Sequence, residues 1–91
     1  MGDLAMSGRA MNKAQIWELA TNVFRETLDL DDLVLTRQLT ARDVERWDSF
    51  NHILLVVAVE QAFGIKFDTG EIDGLENVGQ FMDVIERKVS A

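Results

Sequence analysis

The sequence predicts an all-α protein: a small four-helix bundle with three longer helices, one short helix and a long first loop. Three observations carry this. Apolar residues recur at three- and four-residue spacing in the first and last parts of the chain. Asn12, Asp48 and Asn77, all good N-cap residues, stand where the three longer segments begin. Gly64 closes the middle segment as a C′ glycine would, and no proline interrupts it. At 91 residues the chain makes one domain with one modest core.

Residues 1–10 (MGDLAMSGRA) are small, polar and without period, and are expected to form a flexible N-terminus before a domain at 11–91. Met6 stands where a myristoylation signal wants Ser or Thr, so that reading is discarded. The first helix is expected at about 11–28. Asn12 and Gln15 have capping-box spacing, and Ile16, Leu19, Ala20, Val23, Phe24 and Leu28 form its core stripe with Trp17 beside it.

Residues 29–46 are long for a connection. Leu30, Leu33, Val34, Leu35, Leu39 and Val44 recur through them, so the segment should pack down as a flap. Thr40 to Asp43 could start one helical turn. Aspartates cluster at 29, 31 and 32 and arginines at 37, 42 and 46; both clusters read as solvated charge.

The second long helix is expected at 48–63. Every residue from Ile53 to Val59 is apolar. At about 100° per residue the apolar side chains fall into two stripes. Leu55, Val56, Val59, Ala62 and Phe63 should face the core; Phe50, Ile53, Leu54 and Val57 lie on roughly the opposite side. A chain this small cannot easily bury both, so the second stripe is either a partner surface, the preferred reading, or covered by the long first loop. Ser49 sits near the edge between them, in the first turn.

A short helix is expected at 71–75 with Ile72 and Leu75 inward, and a last helix at 77–89 with Val78, Phe81, Met82, Ile85 and Val89 as its stripe. The acidic stretch from Asp68 fails as a calcium loop, because Gly70, Ile72 and Gly79 fall at ligand positions. Asn77 and Gln80 repeat the capping-box spacing.

Composition narrows function. A net charge of −7 argues against nucleic acid and anionic membranes and favours basic partners. Without cysteine there are no disulfides or thiolate metal sites, and one histidine rules out a His-rich site, so no metal is expected. No apolar run reaches a membrane span and no signal peptide is read, so a cytoplasmic monomer is the default.

Asp48, Ser49 and His52 supply the residue types of a serine hydrolase. All three share one helical turn and no strand–turn–helix elbow precedes the serine, so no catalytic residue is assigned and the protein is not read as an enzyme. A helical protein–protein interaction module without prosthetic group is the alternative reading, with Ser49 a plain N-terminal helix residue. His52 is read as a partly exposed helix residue. Trp47 either staples the loop to the helix start or belongs to an interface.

The segment Asp48-Ser49-Phe50, opening an apolar helix, resembles the Asp-Ser-Leu attachment motif of acyl carrier proteins. Glu60 and Phe63 near that helix's end and the order of elements are also similar, over residues from about 12 to 89. The resemblance implies that a phosphopantetheinyl transferase attaches 4′-phosphopantetheine from coenzyme A to Ser49, with Asp48 its recognition neighbour. The arm would carry acyl or aminoacyl groups as thioesters between loading and acyl-transferring enzymes. Phe50, Ile53, Leu54 and Val57 would be the docking stripe. Fatty-acid carriers have small residues where this chain has Arg46-Trp47, and often an acid where it has Leu54. The Trp-Asp-Ser form looks more like stand-alone carriers of specialised pathways such as polyketide, nonribosomal peptide or surface-polysaccharide assembly.

Overall fold

A computed structural model describes residues 11–90, apart from the side chain of Ser90. Readings on residues 1–10 lie outside the described part. Four α-helices follow in order: α1 (Lys13–Leu28), α2 (Ser49–Phe63), α3 (Thr69–Asp73) and α4 (Val78–Ser90), with a 3-10 turn at Ala41–Asp43 in the first loop.

Side chains write the helix starts locally. The Asn12 side chain accepts the Gln15 N–H, and the Gln15 side chain accepts the Asn12 N–H, which completes the capping box and puts the first helical residue at Lys13. Asp48 accepts from the Asn51 N–H at 2.8 Å. At α4 the box is shifted: Asn77 accepts from the Gln80 N–H, while Gln80 accepts from Glu76 rather than from Asn77. The short helix runs over 69–73 rather than 71–75, because Asp68 and Glu71 form a capping box of their own. Ile72 remains half-buried and Leu75 buried, as expected of them. Gly64 ends α2 at φ 69°, and Asp29 ends α1 in the same left-handed region at φ 58°.

One contiguous apolar cluster holds the helices together. Phe24 of α1 packs edge-on against Trp47 and Phe81 at 5.4 and 5.3 Å, and Phe67 meets Phe81 at 5.8 Å. Ile16, Leu28, Leu55, Val59, Val78, Met82 and Ile85 fill the space around these rings. The first loop is a packed flap. Leu35 and Val44 are buried, and Leu30, Leu33 and Leu39 lie half-buried against the cluster. Val34 departs from the expectation at 68% exposed. Neighbouring residues in extended backbone point to opposite sides, and Leu35 takes the inward one.

Hydrogen bonds to flap carbonyls clip it at both ends. Arg25 Nε donates to the Leu33 carbonyl at 2.8 Å, while Val78 and Gly79 N–H donate to the Leu39 and Arg37 carbonyls at 2.9 and 3.0 Å. A Cβ on Gly79 would sit 3.1 Å from that Arg37 carbonyl, so any larger residue there would push the flap back by a few tenths of an ångström. The loop's charges are on the surface, with Arg46 near Asp29 at 3.2 Å and Arg37 near Asp83 at 3.0 Å.

Candidate functional site at the start of helix α2

The two stripes of α2 separate as the angular argument requires, with one correction at Ala62. Leu55, Val56 and Val59 are buried. Ala62 is exposed, while Phe63 is half-buried and packs against the edge of the core. On the other side Phe50 is 72% exposed, Ile53 54%, Leu54 42% and Val57 43%, so the first loop does not cover them. Four large apolar side chains on adjoining turns form an uncovered patch.

Ser49 is the first residue of α2 and is exposed. Its surroundings are fixed from three sides. Asp48 caps the helix through Asn51 N, the Asn51 side chain donates to the Arg46 carbonyl at 2.7 Å, and the Asp48 carbonyl accepts from His52 N at 2.8 Å. The positive end of the helix dipole lies at this residue, which favours an anionic group on the serine.

Trp47 is buried at 3% exposure, the staple of its two readings. Its indole N–H donates to His52 Nδ1 at 3.0 Å, and the two rings stack with centroids 6.1 Å apart. Phe81 of α4 meets the His52 ring edge-on at 5.9 Å. His52 is therefore half-buried and structural, and desolvation holds its pKa below the ordinary 6.5, against a backbone hydrogen bond to Ile72 that raises it. With His52 and Asp48 both occupied in this way, neither is placed to act as a base on Ser49. At the helix's far end, Glu60 accepts from the Phe67 N–H at 2.8 Å and ties down the turn into α3.

Among the described residues no cluster of His, Asp and Glu could hold a metal ion. No helix there is long and apolar enough to cross a membrane. What the fold and site define is a helical module that presents one exposed serine beside an apolar patch.

Comparison with known proteins supplies the family. No family model matches the chain. The chain is 30% identical over 81 residues to an acyl carrier protein of Guillardia theta, covering 89% of this chain and all of that one. It is 29% identical to an acyl carrier protein of Thermosynechococcus vestitus over 89% of this chain and all of that protein. The solution structure of a holo acyl carrier protein from Geobacter metallireducens superposes with a TM-score of 0.78 at 39% identity, over 81% of this chain and 85% of that one. The chain belongs to the acyl carrier protein family, and its fold is the small all-α fold of that family. Its function is that of an acyl carrier.

Proposed function

We propose that Ser49 is the attachment point of a covalent 4′-phosphopantetheine, and that residues 11–91 form one carrier domain around it. The observation that supports this most is the exposed Ser49 hydroxyl on a rigid first turn, next to an uncovered apolar stripe. The site suits the group: an exposed oxygen can form the phosphodiester, and the helix N-terminus favours its negative charge. When bound, 4′-phosphopantetheine supplies a terminal thiol that holds an acyl or aminoacyl group as a thioester.

The chain's own residues position and present. Asp48 fixes the first turn and marks the serine for the transferase. Ser49 has no base of its own within the turn, so a separate phosphopantetheinyl transferase activates it. In this reading the carrier performs no catalysis. Phe50, Ile53, Leu54 and Val57 dock the transferase and the enzymes that load and unload the arm. The stripe carries no acid, and Glu60 is engaged with the turn into α3, so docking rests on apolar burial more than on charge. Trp47 beneath the motif and Leu54 within the stripe support service in a specialised biosynthetic pathway, as a monomer.

The test is an intact mass after incubation with coenzyme A and a broad-specificity phosphopantetheinyl transferase. Wild type should gain one phosphopantetheine as the Ser49 Oγ–phosphorus bond forms and the adenosine bisphosphate leaves. Ser49→Ala should gain nothing. A folded wild type left unmodified by several transferases would put the interaction module without prosthetic group ahead.

A further inference from the structure

Four hydrogen bonds cross over Ser49. The Asp48 carboxylate accepts from the Asn51 N–H and the Asp48 carbonyl from the His52 N–H, both at 2.8 Å, as in any aspartate-capped helix. Two more belong to this sequence. The Asn51 side chain donates to the Arg46 carbonyl at 2.7 Å, and the Trp47 indole N–H donates to His52 Nδ1 at 3.0 Å. An indole N–H only donates, so Nδ1 is the acceptor and the ring proton stands on Nε2. This last bond differs from the others in where its ends rest. The other three join the turn to Arg46 and Asp48, which are themselves exposed, and such a helix end is free to fray. Trp47 is buried edge-on against Phe24 of α1, with centroids 5.4 Å apart, and the His52 ring meets Phe81 of α4 at 5.9 Å. Ser49 and Phe50 stand exposed between these two anchored residues.

We infer that Trp47 and His52 are a positioning pair for the modification of Ser49: their hydrogen bond keeps the first turn of α2 wound and offers the serine hydroxyl to a phosphopantetheinyl transferase in one orientation. This rests on Ser49 being the attachment point. The pair acts through the turn and not on the reacting atoms. A turn that is wound only part of the time presents the serine in that fraction, and the apparent affinity for the transferase falls by the same factor. At saturation the docked carrier is wound in any case, so kcat is unchanged and the whole effect lies in KM.

The test compares three variants with the wild type, each checked for folding by its denaturant midpoint. His52→Leu fills the space without an acceptor. Trp47→Phe keeps a ring for Phe24 without the N–H. His52→Asn returns an amide oxygen close to the place of Nδ1. Initial rates of phosphopantetheine addition from coenzyme A are measured against carrier concentration. His52→Leu and Trp47→Phe should each raise KM roughly two- to tenfold with kcat held, the upper end being the full weight of one hydrogen bond. Amide protection at Asn51 and His52 of the unmodified chain should fall by a comparable factor. His52→Asn should recover most of both losses, and the double variant Trp47→Phe/His52→Leu should lose no more than either single one. A wild type that takes up no phosphopantetheine overturns the reading of Ser49 and this inference with it. With the wild type modified, the inference alone is overturned if folded His52→Leu and Trp47→Phe keep the wild-type KM, if the loss falls in kcat, or if His52→Asn does no better than His52→Leu. Trp47→Phe decides by itself if His52→Leu does not fold.

Discussion

On α2, Leu55 and Val59 lose all contact with solvent, while Ile53 and Val57, two positions away, keep about half of their exposure. The residue types on the two faces are nearly interchangeable. What differs is where 100° steps carry each side chain relative to α1, which lies against one face only. An apolar residue in this helix therefore has a role set by angle and not by hydrophobicity. The buried face makes the fold, and the exposed face is the one proposed above for docking.

The comparison breaks most visibly if the two faces are truncated in turn. Leu55→Ala should lower the unfolding free energy by about 2–5 kcal/mol, because it empties a closed site. Ile53→Ala should cost less than about 1 kcal/mol, since its side chain is already half in water. Denaturant midpoints at constant slope measure both, and equal losses would mean that the outer face is buried in solution.

Charge on the outer face gives the next effect. Leu54→Asp should leave stability within about 0.5 kcal/mol, yet slow loading by the pathway enzyme roughly tenfold or more, as loss of one buried apolar contact of about 1.5–3 kcal/mol implies. Loading of the wild type should depend only weakly on ionic strength, because screening acts on charge pairs and not on apolar burial. A steep salt dependence would move docking from the stripe to the acids at Asp68, Glu71, Asp73 and Glu76.

The smallest effect lies where no apolar face is involved. Glu71 is held below its ordinary 4.5 by the Asp68 N–H first, then by Lys88 and Arg87, with burial opposing. A depressed carboxyl pKa stabilises the fold above the unfolded value and loses that contribution as pH falls through the folded one. The stability gap between wild type and Glu71→Gln should therefore narrow below about pH 4.5. Denaturant midpoints between pH 7 and pH 3 measure it, and a constant gap would assign the Glu71 contacts no net weight.

Much of this was legible because it is written within one or two helical turns. The caps at Asn12, Asp48 and Gly64, the stripes of α1 and α4 and the exposure of Ser49 all follow from spacing. The register of α3 was legible too, since Asp68-Thr69-Gly70-Glu71 has capping-box spacing, but the weak apolar pair Ile72 and Leu75 drew the expected helix two residues late. Trp47 was not decidable. Its burial depends on Phe24, far off in sequence, and its polar atom needs an acceptor that only the folded helix supplies in His52.

The side-chain caps have a kinetic side. Asn12 with Gln15, Thr40 with Asp43, Asp48 with Asn51, Asp68 with Glu71 and Asn77 with Gln80 each join residues three apart. Contacts that short close almost no loop, so each helical segment can begin to form before the chain has collapsed. The sequence contains no proline, and nothing in refolding waits on prolyl isomerisation. Search time is left to the few long-range meetings, above all Phe24 finding Trp47 and Phe81.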